Sequence, residues 1–495
     1  MIGVSGMEKQ KSLKVNFIMN AILTMSSFIF PLITFPYVSR VLLPVGTGKV
    51  SFANSVITYF AMFAQLGIPT YGIRACSKVR DNKEELNKTV HEIFLINLIM
   101  SVLTYLVFLV CLVAVPRFRQ DYALFLILSS TLFFNVIGME WMYKALEQYT
   151  YIAIRSIIFK ILGLVIMFAF VREQKDYVIY GGITIFAAVG SNIFNFINAH
   201  KYISMKPLKQ HELKRHMKPI LTFFAMSVAT TVYTNLDVAM LGFIKDDAEV
   251  GFYNAAVRIK TILVSMVTSL GTVLLPRASY YIENNMKEEF LRITKKALNF
   301  VLIVATPMML YFMLYASDGI YLLSGTAYTN AILPMQLIMP TLFFIGMSNV
   351  LGIQMLVPLG GERTVLHSVV AGAVVDLVIN ILLIPRLGAS GAAIGTVVAE
   401  AVVWIYQLIT LRDMVVDSYK KMQYHKVLAG LVLGTAGSYW VKMLSFPKWE
   451  YFFRLLCTAC LFFGIYFLFL YITRETFTKE IADGFLEKLK AKLHR

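Results

Sequence analysis

Two cations interrupt a stretch of chain that is otherwise uncharged and mostly apolar. Arg155 and Lys160 lie between positions 149 and 171, and no acidic residue lies between those limits. A guanidinium offers a planar fork of donors to phosphate or carboxylate oxygens, and an ammonium adds a compact charge, so the chemistry on offer is anion binding. On a helix their separation corresponds to about 140° of rotation; both could border one wide cavity, but not one narrow stripe. The plainer reading has them snorkel to an interface or pair with Glu140 or Glu147. Three carboxylates occupy comparable stretches: Asp237, Asp376 and Glu400. Ser227, Thr230, Thr234 and Asp237 recur at helical spacing and make one polar stripe ending in an acid. Asp376 and Asn380 are one turn apart beside Gly372 and Ala373, as are Thr396 and Glu400. Such carboxylates could bind a proton or sodium ion, or partner a cavity arginine; Ser and Thr could equally serve hydrogen bonding between helices. Gly391-x-x-x-Gly395 reads as close helix packing.

The elements that position these groups are membrane spans. The chain has 495 residues, 58% of them hydrophobic and 15% charged, with mean hydropathy +0.68, whereas soluble domains carry about 25% charged residues. Uncharged runs cover 15–39, 50–73, 93–116, 122–139, 177–200, 297–317 and 319–361, the last read as an outer loop plus one span. Admitting ionisable residues adds 149–171, 219–244, 364–385 and 387–411, and 261–276, 427–441 and 451–473 complete a set of fourteen expected helices. With the N-terminus inside, 31 Lys and Arg fall on inward segments, 12 on outward ones and three within spans. The net charge of +17 is therefore mainly a positive-inside signal, not a nucleic-acid surface. Both termini are expected in the cytoplasm. This topology puts Arg74 at an inner mouth, where it could capture phosphate with Gly72 allowing close approach, and Arg258 with Lys260 at an outer one. The first run is too long for a signal-peptide core and is followed by Ser39-Arg40, not a cleavage site. Cys76, Cys111, Cys457 and Cys460 lack the partners of a zinc site and read as packing residues, so no metal or cofactor is expected. Pro31, Pro36, Pro69, Pro307, Pro334, Pro340 and Pro358 lie in or at the ends of spans, where they make kinks or hinges.

Shifting the chain by 200 residues places Val50-x-Phe52-x-Asn54 on Val250-x-Phe252-x-Asn254, Ser27 on Ser227 and Thr34 on Thr234. Two six-helix lobes follow, 1–205 and 206–425, related by a parallel pseudo-two-fold axis around a central cavity. Residues 426–473 add two helices outside the repeat. The segment 474–495 is a basic tail, amphipathic through Ile481, Phe485, Leu486 and Leu489, expected on the inner leaflet.

Several segments resemble the polysaccharide repeat-unit flippases of the multidrug/oligosaccharidyl-lipid/polysaccharide exporter superfamily. They are Pro31-Leu-Ile-Thr-Phe-Pro36-Tyr-Val-Ser-Arg40, Leu66-Gly-Ile-Pro69-Thr-Tyr71-Gly72-Ile-Arg74, Leu146-Glu147-Gln148-Tyr-Thr-Tyr151-Ile-Ala-Ile-Arg155 and Gln354-Met-Leu-Val-Pro358-Leu-Gly-Gly-Glu362-Arg363. The resemblance implies a bacterial cytoplasmic-membrane protein that flips undecaprenyl-pyrophosphate-linked oligosaccharide outward, alongside a polysaccharide polymerase and glycosyltransferases. Cation-coupled drug exporters of the superfamily place an acid in their first helix, and 15–39 has none; lipid II flippases carry arginines there, and the nearest here is Arg40. Both remain alternatives. A membrane polymerase or glycosyltransferase would need a longer loop and an arranged acidic pair. No nucleotide-binding motif is present. A membrane potential contributes about 2.3 kcal/mol per charge per 100 mV, so two charges leaving a negative interior gain roughly 4 to 5 kcal/mol. Transport is expected to be secondary or potential-driven.

Overall fold

A bilayer core offers no water to the backbone, so each crossing segment must satisfy its own N–H and C=O groups, and a helix does this locally. The computed structural model describes residues 13–204, 211–444, 450–480 and 483, and no strand occurs among them. The chain is an all-α integral membrane protein. Its contacts group it into two compact units, Met1–Gly251 and Phe252–Arg495.

The first unit opens with α1 (Leu13–Gln65), followed by α2 (Ile68–Val79), α3 (Lys83–Ala114), the short α4 (Pro116–Arg119), α5 (Tyr122–Gly138) and α6 (Glu140–Ala145). Then come α7 (Tyr149–Phe170), α8 (Tyr177–Ile185), α9 (Asn192–Ala199) and α10 (Lys214–Ile244). A straight 53-residue helix would be about 80 Å long, more than twice the roughly 30 Å hydrocarbon core. The break falls at Leu43 (φ 59°, ψ 178°), directly before Pro44, whose ring disfavours helical geometry in the preceding residue. Pro31 and Pro36, expected as hinges, are carried inside the helix. The α1 helix packs on α3, α5, α7 and α10, and α10 also touches α2. The first compact unit thus takes in α10, which the repeat assigned to the second lobe; the repeat drew its boundary at 205, whereas the contacts divide after Gly251.

The second unit contains most of α11 (Asp247–Glu283), then α12 (Lys287–Leu314), α13 (Ala316–Ser324), α14 (Ile332–Ile338) and α15 (Thr341–Asn349). It ends with α16 (Glu362–Leu387), α17 (Ala389–Thr410), α18 (Arg412–Lys420), α19 (Tyr424–Tyr439) and α20 (Glu450–Ile472). The α16–α17 hairpin and the α19–α20 pair are its most extensive helix contacts. A π-helical turn at Val350–Leu356 extends α15, and another at Phe186–Gly190 joins α8 to α9 in the first unit.

Eleven described helices are long and apolar enough to cross a membrane, or twelve if the bent pair Thr326–Ile338 and Thr341–Leu356 is one span. This is fewer than the fourteen expected, for two reasons. One long α1 covers both of the first two expected spans, and α19 has only 16 residues, short of the roughly 20 that a span needs. The pattern of burial is that of a protein dissolved in lipid: Val110, Val113, Val165 and Ile409 are all at least 60% exposed, while Asn97, Ser101 and Thr104 are buried along α3. Asn97 donates to the Ala64 carbonyl of α1 at 3.0 Å, a polar join between helices. The tail positions Ile481, Phe485, Leu486 and Leu489 lie outside the described residues.

Candidate functional site

Arg155 is set by three elements. The α5 helix stops at Gly138, and Met139 in the left-handed region (φ 39°) turns the chain into α6. Any side chain at Gly138 would collide with the amide of Asn192, so Asn192 rests directly on the glycine backbone. The Asn192 amide donates to the Phe134 carbonyl (2.9 Å), and its oxygen accepts from Arg155 Nη1 (2.9 Å). Asn195 donates to the Gly138 carbonyl at 2.5 Å and Tyr143 donates to the Asn195 carbonyl at 2.6 Å. The π-helical turn before α9 packs on α7 and offsets the register that brings both asparagines here, a distortion common at functional sites. Arg155 is 8% exposed, and its buried Nε has no hydrogen-bond partner among the described residues.

Lys160 faces a different neighbour. Its ammonium donates to Ser26 Oγ (2.8 Å) and Ser27 Oγ (3.0 Å) on α1 and stands 6.0 Å from the Phe30 ring centroid. Each serine sends its own proton to the Leu23 carbonyl, which leaves oxygen lone pairs for the ammonium. Neither cation forms an ion pair among the described residues. The acids that could have neutralised them are engaged elsewhere: Glu140 pairs with Lys144 (2.9 Å) and Glu147 with Arg80 (2.7 Å). Arg155 and Lys160 thus share a helix but no hydrogen-bond partner, and the Glu140 carboxylate acts on both electrostatically.

The carboxylates are distributed over both units. In the first, Asp237 is buried near the end of α10, while Thr230 and Thr234 bond to carbonyls one turn back in their own helix rather than to another helix. Ser227 is half-buried on the same stripe. In the second, Ser368, Gly372, Asp376 and Asn380 form a buried seam along α16, each one turn from the next. It meets α17 at its glycines: a Cβ on Gly391 would lie 2.6 Å from the Leu383 carbonyl oxygen, and one on Gly395 would collide with Asn380. The Gly-x-x-x-Gly segment does bring two backbones together. Glu400 is buried on α17, Thr396 bonds Tyr253 at 2.9 Å, and Gln407 donates to Ser368 at 3.0 Å.

The boundary arginines differ from one another. Arg74 is exposed on α2, and Arg258 is half-buried on α11. The role expected of Gly72 does not stand: the Trp141 indole fills that space, with its ring 2.7 Å from where a Cβ would sit, so no ligand approaches the backbone there. Sequence reasoning also missed four polar joins. They are Glu92 with Arg215 and His216, Lys49 with Asp121 (2.7 Å), Arg117 with Asp247, and Asp318 with Arg454 (3.0 Å). Most of these residues fall at the ends of spans, where charge reads as topology. Glu85 and Glu92, two helical turns apart, mark one acidic face of α3 but not the residues that meet it.

A model of the family described as "Polysaccharide biosynthesis protein" matches residues 13–282. This is more than half of the chain, and the protein belongs to that family. Two relatives are named "Putative O-antigen transporter". The one from Escherichia coli K12 is 25% identical over 404 residues, covering 81% of this chain and 97% of its own. The one from Shigella dysenteriae is 24% identical over 411 residues, covering 80% and 99%. Among solved structures, the lipid II flippase MurJ superposes with a TM-score of 0.73 at 15% identity, over 92% of this chain and 99% of that one. An inward-facing multidrug transporter of the MATE family does so with a TM-score of 0.61 at 14% identity, over 82% and 99%. The fold is therefore the one that this flippase and the multidrug transporter have in common.

Proposed function

We propose that the protein moves undecaprenyl-pyrophosphate-linked oligosaccharide repeat units from the inner to the outer leaflet of the bacterial cytoplasmic membrane, by alternating access, for assembly of cell-surface polysaccharide. The observation that carries this reading is the pair of α7 cations held by neutral partners: Asn192 for Arg155, Ser26 and Ser27 for Lys160. A cation within a span costs about 2.5 to 3.5 kcal/mol on insertion scales, and a diphosphate would supply charge beyond that of Glu140, the one acid acting on both cations among the described residues. Family membership and the names of the relatives support the class of cargo.

In this reading Arg155 and Lys160 bind the diphosphate, Arg74 captures it at the inner mouth, and Arg258 assists its release. Both termini lie in the cytoplasm, and a polymerase and glycosyltransferases act beside the protein. The membrane potential drives an anion outward without an obligatory ion, and Asp237, Asp376 and Glu400 are where a proton or sodium ion would couple. The test is a gene deletion followed by leaflet-specific labelling. Lipid-linked oligosaccharides should accumulate on the cytoplasmic leaflet; normal outward display in the deletion overturns the reading. Retained outward glycan with loss of drug efflux would favour a small-solute exporter, and arrest of cell-wall synthesis would favour lipid II as cargo.

A further inference from the structure

At the start of α10 a histidine is buried in a network that the transport reading does not use. His216 is 3% exposed and Glu92 not at all. The His216 Nε2 lies 2.8 Å from Glu92 Oε2 on α3, and its Nδ1 lies 2.7 Å from the Tyr71 hydroxyl on α2. Glu92 also accepts from Arg215 Nε at 2.8 Å and from the Glu212 backbone N–H at 2.6 Å. Arg215 continues to Glu85 at 2.6 Å. Arg74 and Cys76 stand near enough to Tyr71 to act on it electrostatically, and Lys88 pairs with Glu212 at the edge.

A neutral imidazole meets its two partners here: Nε2–H donates to Glu92 and Nδ1 accepts from Tyr71, with Arg215 Nε 3.3 Å from Nε2. The charges around it are then Glu92 and, farther out, Glu85 on one side and the Arg215 and Arg74 guanidiniums on the other. A second proton on the ring makes the bond to Glu92 charge-assisted, against the repulsion of the adjacent Arg215 guanidinium. It also turns Nδ1 into a donor, so the buried Tyr71 hydroxyl must reverse and its hydrogen loses its acceptor. Proton uptake thus strengthens the α3–α10 join and weakens the α2–α10 join. Histidine is the side chain whose ordinary titration falls in the physiological range.

We propose that His216 is a proton-binding site that shifts the hold on α10 between α2 and α3, and that this makes the transport cycle pH-dependent. The proton site stands on the network alone; its link to transport rests on the flippase reading above.

The test uses the full chain in lipid nanodiscs with ¹⁵N-labelled histidine, its His216 signal assigned by difference against His216→Gln. Between about pH 5 and about pH 8 the His216 signal should titrate. Tyr71→Phe, which removes the acceptor conflict, should raise the midpoint by roughly half to one unit. Spin labels at Lys78→Cys and Lys218→Cys, with the four native cysteines replaced by alanine, should move apart on acidification, and should not in His216→Gln. A signal unchanged across the range, or the same pH response of distance in His216→Gln, overturns the proposal. Should His216→Gln fail to fold, the Tyr71→Phe midpoint carries the test: no shift overturns it. Flux of a fluorescent lipid-linked oligosaccharide in proteoliposomes separates the two claims. Titration with no flux at any pH would sink the flippase reading and leave the proton site standing; flux in the wild type that is flat with pH would sink the link to transport.

Discussion

At the scale of single residues, the informative contrast is between cations that have found carboxylates and cations that have not. Arg80, Lys144 and Arg215 are paired with Glu147, Glu140 and Glu92, whereas Arg155 and Lys160 rest on an amide and two hydroxyls. We expect Arg155→Ala and Lys160→Ala each to lower export of polymer at least tenfold with membrane insertion unchanged, read by surface glycan yield against protein level. If both leave yield unchanged, the anion site is wrong. A second contrast concerns glycine. At Gly395 a methyl group meets Asn380 on the facing helix, so Gly395→Ala should cost about 1 to 3 kcal/mol through overpacking. Thermal melting in detergent measures it. Gly464 has no atom within 4 Å of its would-be Cβ, and Gly464→Ala should leave the melting temperature level or slightly raised.

At the scale of elements, α1 behaves as two helices joined at a strained point. Leu43 holds φ 59° with ψ 178°, a region that a residue with a Cβ rarely occupies, and such strain is of order 1 to 3 kcal/mol. Gly48, just beyond it, admits no side chain because the Asp247 carbonyl occupies the space, and Gly251 is likewise closed by the Pro44 carbonyl. The break therefore brings α1 backbone to backbone with the start of α11. Leu43→Gly should hold or raise stability while Leu43→Val lowers it, and Gly48→Ala should lower it more than either; a melting series on the three variants checks the order. The 200-residue shift that aligned Val50-x-Phe52-x-Asn54 with Val250-x-Phe252-x-Asn254 carries Leu43 to 243, beside the break between α10 and α11 at Lys245. That much was legible beforehand as a motif following a helix end. The π-helical turns were not, because no residue type marks an extra residue in a turn.

At the scale of the whole molecule, the final pair of helices is fastened by buried polar contacts. Arg454 of α20 pairs with Asp318 of α13, and Tyr311 donates to the Leu455 carbonyl at 2.8 Å. Asp318→Ala, which leaves the half-buried Arg454 guanidinium with Glu450 as its remaining acid, should cost about 1 to 3 kcal/mol, and adding Arg454→Met should recover part of it. A double-mutant cycle of detergent melts would reveal additivity instead if the pair is unimportant. For transport, a potassium-diffusion potential across proteoliposomes should raise flux of an anionic lipid-linked sugar without any proton or sodium gradient, since about 2.3 kcal/mol per charge per 100 mV suffices. An absolute need for either ion would place the drive on the carboxylates instead. Membrane class, the approximate positions of spans and the family were readable from the chain alone, because hydropathy and flanking charge are local properties that the bilayer reads segment by segment. Which acid neutralises which base was decided only by the tertiary structure. Glu92 meets His216, and Arg80 meets Glu147, across separations of 124 and 67 residues. Trp141 fills the space that Gly72 leaves. Such pairings depend on which helix faces are brought together, and no local pattern of sequence encodes that.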